Sequence, residues 1–187
     1  MTYSRTHDAS RSYFCGLSMA QYWGDLPLWE NFLNEHPELR AIIEMGTCKC
    51  GMSIFLKMQC IAREMHFWTF DCIRRQEIDS PIARFLGVHE DFVLGDFMQD
   101  SKDRLVELLL QPDIKPLLLF VDGSDKQLEF ATFVPYLSAG DCVAVHDYWN
   151  EFRESAMGSV EQLVEHAFWE ECEAPPGPSL TRFWKRI

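Results

Sequence analysis

The stretch IIEMGTCKCGMS, which begins at Ile42, constrains the fold more than any other part of the sequence. Ile42 and Ile43 are β-branched and follow a polar segment, which predicts the start of a buried strand. Gly46 and Gly51 predict a tight turn, because glycine adopts positive φ angles and lets a ligand approach the backbone closely. Ser53 and the apolar residues after it open a predicted helix, whose free N–H groups face the turn. A strand, a turn and a helix in this order are typical of the nucleotide-binding end of a doubly wound α/β sheet.

Downstream of this stretch, short apolar runs alternate with segments of helical spacing, which predicts a parallel sheet with crossover helices. The most apolar of these runs suit central strands that are covered on both faces. In chain order, the predicted strands are Ala41–Met45, Phe67–Phe70, Asp91–Leu94, Leu117–Val121 and Cys142–Val145. The predicted helices are Leu26–Leu39, Ser53–Glu64, Ile82–Leu86, Asp103–Leu110, Leu128–Leu137 and Val160–Phe168.

The C-terminal part of the chain predicts a different arrangement. Two segments, Trp169–Glu173 and Leu180–Ile187, flank the turn sequence PPGP and predict a terminal antiparallel hairpin. The predicted fold class is therefore α/β, with a doubly wound, mostly parallel, Rossmann-like sheet and a C-terminal antiparallel hairpin. We expect a single domain over residues 1–187. Residues 1–12 are polar and without periodicity, which predicts a loose tail.

Composition limits the classes of function. The 187 residues are 47% hydrophobic and 13% aromatic, which is enough for a sizeable core. A net charge of -12 without a basic stripe argues against nucleic-acid binding. The N-terminus does not resemble a signal peptide, and no apolar run approaches the roughly 20 residues that cross a bilayer. Seven scattered cysteines predict free thiols. We therefore expect a cytoplasmic protein without membrane or nucleic-acid partners. The sequence leaves open whether the protein forms a homo-oligomer.

Acidic side chains stand where the five predicted parallel strands end. Because the carboxyl ends of parallel strands share one edge of a sheet, where ligands bind, we expect these acids to lie along that edge. Acids at such places also cap helices or hold turns, which explains some of them without any ligand. One of them follows the glycine turn by about 20 residues, a position from which an acid accepts hydrogen bonds from ribose hydroxyls. The five acids are Glu44, Asp71, Asp96, Asp122 and Asp147.

Two of these acids, Asp122 and Asp147, end adjacent central strands. A pair of carboxylates in this position can share a divalent ion, with His146 or Asp125 nearby. The other interpretation is that both carboxylates accept hydrogen bonds from loop amides. The residues alone leave these two interpretations open.

Taken together, these motifs resemble the class I S-adenosylmethionine-dependent methyltransferases. The most similar branch is a small bacterial group of cephalosporin-hydroxylase-like enzymes and sugar and macrolide O-methyltransferases. The resemblance covers most of the chain, from about residue 13 to the end, through motifs that are individually short. The residues that carry it are Glu44-x-Gly46-Thr47, Asp71, Gly95-Asp96, Asp122-Gly123, His146-Asp147, the lead-in Phe14–Leu17 with Gln21 and Asp25, and Pro135–Gly140.

The resemblance implies S-adenosylmethionine as cofactor and methyl donor. It assigns one group of residues to the methionine part of the donor, one acid to the ribose hydroxyls and one pair to the surroundings of adenine. In that order, the implied residues are Glu44, Gly46, Thr47 and Gly51, then Asp71, then Asp96 and Phe97.

The resemblance also implies a set of catalytic residues and a metal site. Related metal-dependent members place Mg²⁺ on acids that match Asp122 and Asp147, with the residue that matches His146 near the ion. The branch often carries Asp-Gly-x-His after the fourth strand, where the His can act as the general base. Here Asp125 takes that position. Asp122, Asp125 and His146 are therefore the implied catalytic residues, and Asp125 and His146 are both candidates for the base.

The function implied by the resemblance is O-methylation of a hydroxylated small-molecule acceptor, such as a sugar or natural product, with or without Mg²⁺. A non-catalytic module that binds the same nucleoside is an alternative. Cys48 and Cys50 favour the module, because the family has further glycines there, and so does the absence of the histidine after the fourth strand, where this sequence has Asp125. A second alternative is an NAD-dependent oxidoreductase, which is disfavoured because Gly46 and Gly51 do not form a Gly-x-Gly-x-x-Gly motif.

Overall fold

The computed structural model describes residues 12–148, 151–152, 163–166 and 180–187. In chain order, the strands are β1 (Ser12–Phe14), β2 (Leu17–Met19), β3 (Ala41–Met45), β4 (His66–Asp71), β5 (Phe92–Leu94), β6 (Leu117–Val121), β7 (Cys142–Val145), β8 (Leu163–His166) and β9 (Arg182–Arg186). The helices are α1 (Asp25–Glu35), α2 (Gly51–Ala62), α3 (Pro81–Leu86), α4 (Val88–Asp91), α5 (Lys102–Leu110) and α6 (Lys126–Phe133).

The main sheet has seven strands in the order β5-β4-β3-β6-β7-β9-β8. Strands β3 to β7 are parallel, while β9 is antiparallel to both β7 and β8. This topology confirms the predicted Rossmann-like α/β fold with an antiparallel pair at its C-terminal end. The chain adds strands on one side of β3 and then returns to add β6 on the other side. The crevice between the ends of β3 and β6 is therefore the point at which such sheets bind ligands.

Alternate residues of the central strands pack against helices on opposite faces of the sheet. On one face, Ile42 and Phe120 lie in a core with residues of α1 and α2. Trp29 of α1 is fully buried there, and its ring centroid lies 4.9 Å from that of Phe120. On the other face, Ile43 lies in a core with residues of α5 and α6. Full burial of one large apolar side chain contributes about 1.5–3 kcal/mol, so these two cores hold the sheet in place.

Four predicted elements differ from the structure. The helix predicted at Leu128–Leu137 is α6, which ends at Phe133 and is followed by a 3-10 turn at Val134–Tyr136. Helix α1 ends at Glu35 and not at Leu39, because Pro37 disfavours a helical backbone in the residue before it. Asp91 ends α4 and does not begin β5. The segment Val160–Phe168 is predicted as a helix, but Leu163–His166 within it forms β8 and pairs with β9. The free edge of β9 supplies backbone partners, and this tertiary pairing overrides the local helical spacing.

Two predictions concern residues beyond the described ranges. The strand predicted at Trp169–Glu173 lies outside them, while the strand predicted at Leu180–Ile187 is confirmed by β9. Nearly all of the predicted N-terminal tail also lies outside them, and its last residue, Ser12, begins β1. Within the described parts of the chain, every helix is too short or too polar to span a bilayer.

Candidate active site

The turn after β3 keeps the backbone path that glycines usually provide. Gly46 has φ +102° and donates its N–H to the Phe70 carbonyl oxygen at 2.8 Å. Cys48 and Cys50 have φ +46° and +67°, in the left-handed region that L residues rarely adopt. Cys50 is buried in the core at the start of α2, whereas the Cys48 side chain is exposed. The two cysteines therefore change the side chains of the turn and leave a glycine-like backbone.

Two glycines of this turn are in close contact with other segments. A Cβ atom on Gly46 would lie 2.3 Å from the Asp122 carbonyl oxygen, at the end of β6. A Cβ atom on Gly51 would lie 2.4 Å from the Ser18 carbonyl oxygen, in β2. Only glycine permits both approaches. The turn is therefore in direct backbone contact with the end of β6 on one side and with the N-terminal hairpin on the other.

Glu44 is fully buried beneath the turn. Its Oε2 atom accepts hydrogen bonds from Ser53 Oγ at 2.5 Å and from Thr69 Oγ1 at 2.6 Å. The Thr47 and Thr69 hydroxyl oxygens lie 2.5 Å apart, and either hydroxyl can donate in this contact. Among the described residues, Glu44 Oε1 has no hydrogen-bond partner. Burial raises the pKa of Glu44 to about 8, although the Ser53 and Thr69 hydroxyls oppose this rise. At neutral pH, the side chain is a neutral acid.

Asp71 and Asp96, the residues assigned to the nucleoside, both lie half-buried at the carboxyl edge of the sheet. Asp71 accepts the backbone N–H of Cys48 at 2.8 Å, which ties the end of β4 to the glycine turn. Asp96 accepts the backbone N–H of Met98 at 2.8 Å. Phe97 is buried, and its ring lies 6.5 Å from that of Phe133, so it packs in the core. Each carboxylate oxygen has a second lone pair, which leaves both acids able to accept further hydrogen bonds.

Asp122, His146 and Asp147 form a tight cluster at the ends of β6 and β7. His146 Nδ1 lies 3.2 Å from Asp122 Oδ1 and 3.2 Å from Asp147 Oδ2. Gln21 donates its side-chain N–H to Asp122 Oδ2 at 2.5 Å. Asp147 has φ +56°, a strained conformation for a residue other than glycine. The fold therefore brings the three predicted metal ligands together and holds one of them in an unusual backbone conformation.

Lys126, in the first turn of α6, places a buried ammonium group in the same cluster. Its Nζ atom lies 3.2 Å from Asp147 Oδ2 and 3.6 Å from Asp122 Oδ1. It also lies 2.7 Å from Glu151 Oε2 and 3.0 Å from the Gly123 carbonyl oxygen. The Lys126 side chain is only 4% exposed. The acidic cluster thus contains its own positive charge.

The charges of the cluster stabilise one another. Burial lowers the pKa of His146, but the Asp122, Asp147 and Asp25 carboxylates outweigh it and raise that pKa well above the usual value. Burial raises the pKa of Asp147, but His146 and Lys126 outweigh it and lower that pKa to about 2. For Lys126, burial is outweighed by the surrounding acids, which raise its pKa to about 12. These shifts favour the ionised forms of Asp147, Lys126 and His146.

Asp125, the other candidate for the general base, has a clear structural role. It is the N-cap of α6, and its Oδ1 atom accepts the backbone N–H of Leu128 at 3.1 Å. Buried Glu129 accepts the backbone N–H groups of Gly123 and Asp125 at 3.1 and 3.0 Å. These bonds fix the loop from Gly123 to Asp125, which directly precedes Lys126. The Asp125 carboxylate is exposed, and no ion pair or hydrogen bond between the described side chains joins it to the cluster.

The donor atoms of the cluster satisfy only part of what a divalent ion requires. One ligand atom from each of Asp122, His146 and Asp147 lies within 4.8 Å of the others, and carboxylate oxygen and imidazole suit divalent ions. However, the Lys126 ammonium already pairs with both carboxylates and offsets one of their two negative charges, and a histidine ligand must be in its neutral form. The residues present therefore do not fit a divalent ion while the Lys126 ammonium occupies its observed position.

The sequence interpretation missed several residues of this site. Lys126 stands four positions after Asp122. This spacing indicates an ion pair only once the structure shows that α6 begins directly after β6. Ser53 and Thr69 hold Glu44, but their hydroxyls carry no pattern of their own. Asp25 Oδ2 lies 3.8 Å from His146 Nε2, although the resemblance gives Asp25 no role in the site. The contacts of Thr69 with Glu44 and of Asp25 with His146 join segments that are distant in the chain, so no local signal predicts them.

A separate cavity of about 330 Å³ lies at the opposite end of the sheet, where α1 and α2 end. Leu33, His36 and Arg63 are among its lining residues. None of the predicted site residues lines it. We place the candidate active site at the carboxyl edge of the sheet, because the acids and the glycine turn meet there.

The sequence matches no family model and no curated protein, but its fold is similar to that of solved structures. CmcI in its apo form has a TM-score of 0.65 at 17% identity, over 95% of this chain and 77% of CmcI. CmcI with Mg and SAM has a TM-score of 0.64 at 16% identity, over 95% and 77% of the two chains. The O-methyltransferase TomG from Streptomyces achromogenes, in complex with SAM, has a TM-score of 0.54 at 15% identity, over 86% and 78%. The chain therefore has the fold that CmcI shares with the O-methyltransferase TomG.

Proposed function

We propose that this protein is an enzyme that transfers the methyl group of S-adenosylmethionine to a hydroxyl group of a small molecule. The observation that carries the proposal is the backbone contact between Gly46 and Asp122. It puts a turn of the donor-binding type directly beside a cluster of acids and a histidine. The similarity in fold to CmcI with Mg and SAM and to TomG in complex with SAM supports the choice of donor.

The donor would bind along the edge formed by the ends of β3, β4 and β5. The turn from Gly46 to Gly51 would hold the methionine part, with Glu44 and Thr47 beneath it. Asp71 would accept hydrogen bonds from the ribose hydroxyls, and its bond to Cys48 N already aligns it with the turn. Asp96 would lie beside adenine. These roles are those that the resemblance implies, and the hydrogen bonds of Asp71 and Asp96 to the backbone leave both acids lone pairs for them.

Methyl transfer from a sulfonium is an in-line displacement: the acceptor oxygen forms a bond to the methyl carbon as the carbon–sulfur bond breaks, which leaves a neutral thioether. Holding donor and acceptor in line supplies much of the rate enhancement. The acceptor hydroxyl must also lose its proton. We assign this role to Asp122, whose backbone lies against the turn and whose carboxylate belongs to the adjacent cluster, because the raised pKa of His146 favours the protonated form of that side chain.

The Mg²⁺-assisted form of the reaction, with Asp122, His146 and Asp147 as ligands, remains a prediction of the sequence. We do not include it in the proposed step, because the Lys126 ammonium already pairs with the same two carboxylates. The acceptor class, a sugar or another hydroxylated natural product, also comes from the resemblance alone. The oligomeric state has no part in the proposal.

The two alternatives make different predictions. The non-catalytic module drew support from Cys48 and Cys50, but both residues keep the left-handed backbone of a glycine turn, which weakens that argument. An NAD-dependent oxidoreductase is disfavoured because the glycine turn of this protein does not have the Gly-x-Gly-x-x-Gly motif. Titration calorimetry with S-adenosylmethionine, S-adenosylhomocysteine and NADH distinguishes the oxidoreductase from the other two functions. A methylation assay on a panel of hydroxylated acceptors then distinguishes the methyltransferase from the non-catalytic module.

We expect both S-adenosyl compounds to bind and NADH not to bind. Asp71→Asn should weaken donor binding by about tenfold, since a charged hydrogen-bond acceptor is lost. Asp79→Asn is the matched control, because Asp79 is an exposed acid that pairs with Arg74 and Arg84 at a distance from the turn. Absence of binding of either S-adenosyl compound at millimolar concentration would rule out the proposed function.

A further inference from the structure

Two carboxylate oxygens in the acid cluster each contact two cationic nitrogen atoms. Asp147 Oδ2 lies 3.2 Å from both Lys126 Nζ and His146 Nδ1. Asp122 Oδ1 lies 3.2 Å from His146 Nδ1 and 3.6 Å from Lys126 Nζ. The ammonium thus pairs with the same two carboxylates that a divalent ion would need as ligands, and it offsets one of their two negative charges.

The Lys126 ammonium is firmly held in this position. An ammonium has three N–H groups, and acceptors lie at 2.7 Å on Glu151, 3.0 Å on Gly123 and 3.2 Å on Asp147. The loop that carries it is fixed in turn by the two hydrogen bonds to the buried Glu129 side chain. If the ammonium turned towards solvent, the partly buried Asp147 carboxylate and Gly123 carbonyl would lose this donor. A divalent ion would therefore have to enter beside a fixed positive charge, which repels it.

We propose that Lys126 takes the place of a divalent metal ion in this cluster, so that the protein binds no Mg²⁺ there. Lys126 is a positioning residue: it holds Asp122 and Asp147 at a fixed spacing and supplies the positive charge that their carboxylates require. The statement about metal binding stands on the geometry of the cluster. Its consequence, methyl transfer without a metal, rests on the proposed function.

The test is a titration of Mn²⁺, a spectroscopic substitute for Mg²⁺, monitored by electron paramagnetic resonance. The samples are the wild-type protein, Lys126→Met and the control Lys57→Met. Methionine keeps the length of the side chain and removes its charge. Lys57 is also paired with an acid, Asp91, at 2.6 Å, but it lies in α2 and outside the cluster. We expect no stoichiometric Mn²⁺ binding below about 1 mM in the wild-type protein and in Lys57→Met, and binding of one Mn²⁺ at least tenfold more tightly in Lys126→Met.

If Lys126→Met does not fold, the Mn²⁺ titration of the wild-type protein tests the proposal on its own. One Mn²⁺ bound at micromolar concentration to the wild-type protein, and lost in Asp122→Asn, would overturn the proposal. Equal Mn²⁺ affinity in the wild-type protein and a folded Lys126→Met would also overturn it. Lys126→Gln serves as the second variant, because its amide can still donate to the Gly123 carbonyl. Donor affinity is measured in the same samples, so a failure of the proposed function is recognised separately from a failure of the metal inference.

Discussion

The α-carbon of Gly46 lies against the backbone carbonyl of Asp122, so closely that a Cβ atom at residue 46 would stand 2.3 Å from the carbonyl oxygen. This contact joins the end of β3 to the end of β6, at the point where the order of the sheet reverses. It places the glycine turn and the acid cluster side by side. Any side chain at position 46 would push these two halves of the site apart.

Gly46→Ala is therefore expected to reduce the free energy of unfolding by at least about 3 kcal/mol, because it adds a backbone clash to an unfavourable positive φ. Gly140→Ala is the matched control: Gly140 has φ +92°, and the nearest atom to its Cβ position is 4.0 Å away. That variant should lose only about 1–2 kcal/mol. Urea unfolding of both variants measures the difference. Equal losses would show that the contact with Asp122 contributes nothing.

Glu44→Gln is expected to change how stability depends on pH. Burial raises the pKa of Glu44 from 4.5 to about 8 in the folded protein, so the folded state binds this proton more tightly than the unfolded state. The resulting stabilisation is complete below about pH 4.5 and is lost as the pH rises towards 8. Glutamine mimics the neutral acid at every pH. From pH 5 to pH 8.5, the wild-type protein should lose about 4 kcal/mol relative to Glu44→Gln.

Chemical denaturation of the two proteins at several pH values provides the measurement for Glu44. The comparison cancels the contributions of His146 and the other groups that titrate in this range, since both proteins contain them. Parallel stability curves for the two proteins would contradict a neutral Glu44 in the folded state.

Cys48→Gly is expected to stabilise the protein by about 0.5–1 kcal/mol. Cys48 is exposed and has φ +46°, so glycine relieves backbone strain and little packing is lost. Cys48→Ala is the control, since alanine keeps the same strain and should leave stability unchanged. Thermal unfolding under reducing conditions distinguishes the variants, and a similar gain from alanine would assign the effect to loss of the thiol.

Asp141→Asn is expected to destabilise the protein by about 2–4 kcal/mol without changing donor affinity. Asp141 is fully buried near the start of β7 and accepts the backbone N–H groups of Leu117 and Ser138 at 2.9 and 2.7 Å, with Lys115 as its ion-pair partner. It lies at the amino end of the strands, opposite the candidate active site. Denaturant unfolding and donor calorimetry on one sample check both parts. Asp113→Asn, a change at an exposed residue, is the control.

Gln21→Leu is expected to affect the site through Asp122. The Gln21 amide donates to Asp122 Oδ2 at 2.5 Å, and the Gln21 side chain is nearly fully buried. Leucine removes this donor and keeps a side chain of similar size, so we expect kcat of the proposed methyl transfer to fall by about tenfold while donor affinity stays unchanged. A loss of donor affinity with unchanged kcat would place Gln21 on the donor side of the site.

The sequence alone determined the order of the parallel strands along the chain, the glycine turn and the acids at the strand ends. These features are local: a buried strand needs consecutive apolar residues, and a turn needs particular backbone angles. For this reason the five parallel strands lie at or near their predicted positions. At Asp91, which was predicted to begin a strand, the structure has the end of α4. Such local patterns were enough to predict two parts of the candidate site: the glycine turn and the acids at the strand ends.

The tertiary structure alone decided which side chains complete the site. Lys126 enters the acid cluster only because α6 starts where β6 ends, and Gln21 reaches Asp122 across 101 residues of chain. The same reason explains β8, where pairing with β9 overrides a helical spacing in the sequence. Contacts between distant segments depend on how the sheet and helices pack together, and a local pattern carries no information about that packing.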